Sequence, residues 1–341
     1  MKKVLLYSVV GAFALYLILG LVSFGEAAGK PKPPPATPAN PMIVYVAVSS
    51  SGPYNELAVA NADGSNQTAL LSSDQVGYFF PAWSPDLDHD TPGYQGGVVF
   101  EQWSGPIDTP KIDLWLIDIS ISQSGVTTGT TELLSENASS PSWSPNGDKI
   151  AYVSHASDSS QRGIRILDLN SGADTLLIAD PSPEDNTQNV NWPAWNPSGT
   201  HLAYSLNDGI SEEQVRKREL IDENGAFVLN GDDSLIVSDA FGARGLDWSR
   251  GSRFLAFKAA GAMQIVDLNS FTPQMQPLLD STWTESPTWM PTNESELVFM
   301  NRNGRSGAGK RKIVKRNLVT NAETVIVERN GFHLYEPDWR R

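Results

Sequence analysis

An all-β chain of six four-stranded blades, closed into a propeller, is predicted by three observations. A Pro-x-Trp motif leading into a turn and an apolar strand recurs along the sequence. Successive motif tryptophans, Trp83, Trp143, Trp195, Trp248, Trp289 and Trp339, stand 60, 52, 53, 41 and 50 residues apart. A four-stranded blade repeats every ~40–50 residues, so this period specifies an array of blades rather than independent domains. Finally, the first and last blades are each incomplete, and each supplies what the other lacks.

The stretch from Ser139 to His155 shows the unit. Pro141, Trp143 and Pro145 frame one strand, Asn146-Gly147 supplies a turn that needs positive φ, and Ile150 to Val153 return as an apolar strand. Met42 to Val48, Glu56 to Ala60 and Thr68 to Leu71 read as strands b, c and d of a blade without strand a. Leu334 to Trp339 is a strand a with nothing after it; pairing it into the first blade closes the ring and removes a long unpaired edge.

Between these ends, blade two takes Trp83, Gly97 to Phe100, Ile112 to Ile119 and Thr131 to Leu134. Blade three takes Trp143, Ile150 to Val153, Ile164 to Leu169 and Thr175 to Ile178. Blade four has Trp195, Leu202 to Tyr204, and a longer, more charged outer half from Ser211 to Val237. Blade five has Trp248, Phe254 to Phe257, Met263 to Leu268 and Met275 to Leu279; blade six has Trp289, Leu297 to Phe299, Ile313 to Leu318 and Thr324 to Val327. No stretch after residue 41 sustains a 3.6-residue apolar period, so almost no helix is expected. The repeated tryptophans are expected to be structural, wedged between neighbouring blades.

The N-terminus carries an address. Lys2-Lys3 precede an apolar run from Val4 to about Ser23, followed by Gly25-Glu26-Ala27-Ala28-Gly29. A basic flank, an apolar run and small residues make an export signal. The run is also long enough to span a bilayer, so residues 1–28 read as a signal peptide or an anchor, with residues 4–23 as a membrane tether. Residues 29–41, rich in proline, form an extended spacer, and the propeller fills 42–341. The protein is expected outside the cytoplasm, in the periplasm or held at the inner membrane, as a monomer.

Formal charge is −14, which argues against nucleic acid as a partner, because phosphate binding needs clustered Lys and Arg. The chain has no cysteine, which removes disulfides, thiolate catalysis and Cys-based zinc sites.

Repeats of the form Pro-x-Trp-Ser-Pro-Asn-Gly-x-x-Ile-Ala-Tyr resemble the propeller of the TolB-like family, and the resemblance runs from Met42 to Arg341. It implies a six-bladed propeller in the bacterial cell envelope. The spacer leaves no room for the α/β domain that precedes the propeller in TolB. Similar repeats also occur beside prolyl-oligopeptidase-type protease domains and in oligosaccharide lyases, so the resemblance specifies fold more narrowly than function.

In a propeller the d-to-a and b-to-c connections share one face, the channel mouth. The residues that approach it come before the motif prolines, or Leu246 in blade five: Phe79-Phe80, Ser139-Ser140, Asn191-Trp192, Arg244-Gly245, Thr284-Glu285 and Tyr335-Glu336. Candidate binding residues are therefore Phe80, Trp192 and Tyr335 as aromatic surface, Arg244, Glu285 and Glu336 as charge, with Trp103 and His333 alongside. Such a set suits a protein or peptide partner, since Trp, Tyr and Arg dominate interface hot spots. The same rings also suit stacking on sugars, and a third reading is that Phe80 and Trp192 simply plug the channel. Asp86, Asp88 and Asp90 offer oxygen ligands for calcium, though the downstream Gly and Glu of an EF-hand loop are not in place. No other cofactor is expected.

Catalytic motifs are missing: there is no Gly-x-Ser-x-Gly elbow, no His-Glu-x-x-His and no phosphate-cradling loop. With the propeller running to the last residue, no hydrolase domain is expected after it. The sequence thus predicts a non-catalytic binding propeller of the cell envelope, with an oligosaccharide-binding or oligosaccharide-degrading propeller as the alternative.

Overall fold

The computed structural model describes residues 42–339 apart from 54, 86–95, 107, 123–124, 185–187, 208, 210–212, 224–225, 239, 278–283 and 303–310. In chain order the strands begin with β1 (Met42–Ser49), β2 (Asn55–Asn61) and β3 (Thr68–Ser73). Blade two is β4 (Gly77–Trp83), β5 (Gly97–Ser104), β6 (Lys111–Ser122) and β7 (Gly125–Ser135). Blade three is β8 (Ala138–Trp143), β9 (Lys149–Ser154), β10 (Gly163–Asp168) and β11 (Asp174–Ala179). Blade four is β12 (Asn189–Trp195), β13 (His201–Asn207), β14 (Glu213–Glu223) and β15 (Ala226–Val237). Blade five is β16 (Arg244–Trp248), β17 (Phe254–Ala259), β18 (Ala262–Asp267) and β19 (Gln276–Pro277). Blade six is β20 (Thr284–Trp289), β21 (Glu296–Arg302), β22 (Arg311–Asn317) and β23 (Glu323–Val327), and the last strand is β24 (Phe332–Trp339).

β24 pairs antiparallel with β1, from Ile43 opposite Trp339 to Ser49 opposite Phe332, and so becomes the inner strand of blade one. Every sheet is antiparallel and four strands wide. The inner strands neighbour one another in a closed circuit: β24, β4, β8, β12, β16, β20 and back to β24. This is a six-bladed β-propeller. The one helical turn among the described residues is a 3-10 turn at Ser159–Gln161.

The motif residues explain the local geometry. Ser144 closes the turn between β8 and β9 from both sides, its N–H donating to the Lys149 carbonyl (2.8 Å) and its Oγ accepting from the Lys149 N–H (2.9 Å). Gly147 sits at φ 73° with its N–H on the Ser144 carbonyl (2.9 Å), a conformation that a side chain would strain. Ser84, Asn196 and Ser249 repeat the arrangement in blades two, four and five.

The core lies between blades. Six apolar clusters each contain one motif tryptophan together with residues of two adjacent blades. Trp143, for example, packs with Val99, Leu114 and Leu116 of blade two and Ile150 and Tyr152 of blade three. All six tryptophans are buried, as are the aromatics at the centre of each strand b: Tyr45, Phe100, Tyr152, Tyr204, Phe257 and Phe299.

Blades four and five depart most from one another. The charged outer half of blade four is a long hairpin, β14 with β15. In the outer strand of blade five, expected over Met275–Leu279, Gln276 and Pro277 pair with β18, and Leu278 and Leu279 lie outside the described residues. His201 opens β13, the second strand of blade four, and His155 directly follows β9.

Substituting Trp143 by alanine empties the wedge between blades two and three and should cost ~3–5 kcal/mol. An equilibrium denaturant melt checks this; an unchanged midpoint would show that the indole does not hold that seam.

Candidate functional site

Each inner strand carries an irregularity at the same place. The residue three before the motif tryptophan has left-handed backbone in all six blades: Phe80 (φ 46°), Ser140 (55°), Trp192 (55°), Gly245 (60°), Ser286 (52°) and Glu336 (51°). Two residues of the inner strand there face one of its partner, as Phe80 and Pro81 face Phe100 between the pairs Phe79–Glu101 and Ala82–Val99. The other five blades repeat the register shift. This is a β-bulge, which bends the strand and re-aims its side chains. None of the six residues is β-branched, the type least tolerant of such backbone.

The bulges ring a central cavity of about 470 Å³ whose wall includes Phe80, Ser140, Trp192, Gly245, Ser286 and Glu336 at the mouth end. At the opposite end it is bounded by Pro85, Pro145, Pro197, Arg250 and Pro291, two residues after their tryptophans.

Between the two ends runs a belt of hydrogen bonds, one across each seam, made by the residue just before each tryptophan. Asp338 Oδ2 accepts from the Trp83 N–H (2.7 Å), Ser142 Oγ from the Trp195 N–H (3.2 Å) and Asp247 Oδ2 from the Trp289 N–H (2.6 Å). The alternate seams reverse the chemistry. Ala82 and Ala194 offer only a carbonyl, and the indole N–H groups of Trp143 (2.9 Å) and Trp248 (3.0 Å) donate to it. At the sixth seam the Thr288 hydroxyl donates to Asp338 Oδ1 (3.2 Å).

Two further carboxylates hold bulge N–H groups of a neighbouring blade. Glu336 Oε2 accepts from Phe80 (2.6 Å), and Glu101 Oε1 accepts from Ser140 (2.8 Å) while its Oε2 takes the Trp103 indole N–H (2.7 Å). Burial pushes Glu101 up to about 7, against the pull of those two donors. Burial likewise raises Asp338 to about 6, against its donors from Trp83, Thr288 and Trp339.

The aromatic candidates at the mouth meet. Trp103 packs on Phe79 (ring centroids 4.7 Å), Phe79 lies 6.5 Å from Phe80, and Phe80 meets Trp192 edge-on at 4.8 Å. Phe80 belongs to blade two and Trp192 to blade four, so their rings cross over Ser140 of blade three. All four rings are half-buried.

The remaining candidates are dispersed. Tyr335 packs against the core between blades one and two, with the Arg311 guanidinium 4.1 Å above its ring. Arg244 is exposed at the start of β16, and His333 is half-buried opposite Val48. Glu285 lies in β20 opposite Met300, and its side chain is outside the described residues. So are Asp86, Asp88 and Asp90, on which the calcium expectation rests. Beside the mouth, Ser139 Oγ and His155 Nε2 lie 2.7 Å apart, and burial and nearby Arg162 lower the basicity of the imidazole. Among the described residues no carboxylate is bonded to His155.

Sequence reasoning missed Glu101, Asp247 and Asp338. For the two aspartates a signal existed: the position before tryptophan reads Ala82, Ser142, Ala194, Asp247, Thr288 and Asp338, polar in alternate blades at the least.

TolB from Acinetobacter baumannii superposes with a TM-score of 0.62 at 18% identity, over 88% of this chain and 66% of the TolB chain. The fold is that of a TolB-like propeller. A chain of a nidogen–laminin complex superposes at 0.58 with 11% identity, over 89% of this chain and 99% of that one. Hydrazine synthase from Kuenenia stuttgartiensis matches at 0.53 with 8% identity, over 88% of this chain and 47% of that one. No protein-family model and no curated protein matches the sequence. Among the described residues of this TolB-like propeller, no helix is long and apolar enough to cross a membrane, and no group of three or more metal-ligating side chains gathers.

The raised carboxyls set a pH dependence. Between the unfolded value near 4.5 and about 7, folded Glu101 holds a proton that the unfolded chain releases, so its contribution to stability grows as pH falls through 7 and is lost as pH rises. Wild type should therefore gain more in melting temperature between pH 8 and pH 5.5 than Glu101→Gln. Equal gains in paired thermal melts would remove Glu101 as the source.

Proposed function

We propose that this chain is a non-catalytic propeller of the cell envelope that binds a protein or peptide partner at its channel mouth. The observation that carries this reading is the contiguous run of half-buried rings, Trp103, Phe79, Phe80 and Trp192, at the rim of a preformed cavity. Aromatic side chains that are partly covered in the free protein and clustered beside a pocket are the residues that anchor interfaces. The bulges fix the backbone beneath two of these rings, so little ordering entropy is lost when a partner docks.

The envelope setting is supported by Lys2-Lys3, the apolar run from Val4 to Ser23 and the small residues after it, which suit export with or without a retained tether. The propeller fold itself is shared with TolB and with a chain of a nidogen–laminin complex, the latter a protein–protein assembly. It is also shared with an enzyme, hydrazine synthase, so the site and not the fold has to carry the functional argument.

Crosslinking in intact envelopes, followed by copurification, tests the reading. Wild type should capture a defined partner that Trp192→Ala and Phe80→Ala lose, while both variants keep their melting temperature to within a few degrees. Retention of the partner by both variants would move the binding surface away from the mouth. Turnover or retention of oligosaccharides that depends on the same two rings would replace the protein-binding reading with a carbohydrate one.

A further inference from the structure

The chemistry of the cavity beneath those rings says something about what enters it. Its wall includes the carboxylates Glu336, Asp338 and Asp247. Among the described lining residues Arg250 is the one cationic side chain, and it lies at the far end with the prolines. Arg244, on the rim, is exposed and is not part of the wall. Asp338 is held by neutral donors, the Trp83 N–H and the Thr288 hydroxyl. Such donors satisfy its oxygens without supplying countercharge, and burial disfavours its ionisation against their pull. Level with Glu336 and above the two aspartates, Phe80 and Trp192 stand across the mouth from its open side, where Gly245 and Ser286 are small. Aromatic faces over carboxylates are the two environments that favour a desolvated ammonium or guanidinium group.

We propose that the channel mouth receives a basic peptide segment whose lysine or arginine side chain passes the Phe80–Trp192 pair toward Glu336 and Asp338. The inference rests on the mouth being the docking surface and adds the charge of the occupant. Electrostatic complementarity of this kind selects partners and speeds encounter more than it adds affinity. The formal charge of −14 on the whole chain works in the same direction at long range.

The test uses the full chain and a matched pair of probes, the blocked tripeptides Gly-Lys-Gly and Gly-norleucine-Gly, titrated calorimetrically at low and high ionic strength. The lysine peptide should bind at least about tenfold more tightly than its neutral counterpart at low salt, and the difference should shrink at high salt. Glu336→Gln and Asp338→Asn keep an acceptor for the Phe80 and Trp83 N–H groups, so both should fold. Each should weaken the lysine peptide several-fold while leaving the norleucine peptide unchanged. Equal binding of the two peptides, both lost on Trp192→Ala, would overturn the charge inference and leave the mouth as docking surface. Absence of binding by either peptide, with the crosslinked partner retained by Trp192→Ala, would overturn both. Lysine selectivity unchanged in the Glu336→Gln, Asp338→Asn double variant would place the cation elsewhere and also overturn the inference.

Discussion

Six hydrogen bonds that circle the channel, one at each seam, are the constraint on which the rest of this propeller depends. An inner strand has one edge paired with its own blade and the other turned toward the channel, where backbone groups have no ladder to join. The belt supplies partners for part of that edge by borrowing from the next blade: a side chain accepts a backbone N–H at Asp338, Ser142 and Asp247, and a carbonyl accepts an indole N–H at Ala82 and Ala194. These contacts need the inner strands at a fixed spacing, and the indole in each seam sets it, because a ring removing ~150–250 Å² from water leaves little freedom in how two blades approach. Trp143 and Trp248 do both jobs with one side chain. The closing strand belongs to the same system. Trp339 fills the seam between blades six and one, and Asp338 beside it bonds to blades two and six.

With the tryptophan and the residue before it committed to the ring, and proline or Leu246 fixed before those, one position per blade is left to vary freely at the mouth. That position is the left-handed residue of the bulge. The identities there make the mouth lopsided. Phe80 and Trp192 reach each other because Ser140 between them is small, and Gly245 and Ser286 leave the opposite half open. Glu336 stands at the boundary and spends one oxygen on the Phe80 N–H, so the charge at the rim and the placement of the first aromatic ring are set together. A surface of this kind is specified by a few side chains on rigid backbone. For that reason it can differ completely between propellers that superpose well.

The fold was legible in the sequence because its determinants are local and repeated. Pro-x-Trp, the Ser-Pro-Asn-Gly turn and the apolar strand after it lie within fifteen or so residues of one another, and the period exposes their recurrence. The closing strand was legible for the same reason, since Leu334 to Trp339 is a unit cut short. The belt was not, because its bonds join residues far apart in the chain, Trp83 with Asp338 or Trp289 with Asp247. Nor do Phe, Ser, Trp and Glu announce left-handed backbone, as glycine would; only the six-fold register shift reveals it. Placing Phe80 and Trp192 near the mouth followed from their position before proline. Their contact across blade three depends on the size of Ser140, which no pattern in either residue's own neighbourhood encodes.

The carboxylates connect stability with recognition. Glu101 and Asp338 are buried beside neutral donors, an arrangement that satisfies hydrogen-bonding capacity but leaves negative charge in a poorly polarisable place. Replacing them by alanine would leave Ser140 and Trp83 N–H groups without acceptors, whereas an amide of the same shape would not, so the ring itself requires an acceptor there and not a charge. Serine fulfils the acceptor role at Ser142 with a neutral hydroxyl. Ser142 shows that a neutral hydroxyl can accept the backbone N–H of the next blade, so the charge of Asp338 exceeds what its bond to Trp83 requires. Asp338 and Asp247 both line the cavity, and Glu336 lies above them. Surplus negative charge facing an open, aromatic-rimmed channel is what an incoming cation would neutralise, and that links the electrostatics of an otherwise structural belt to the choice of partner.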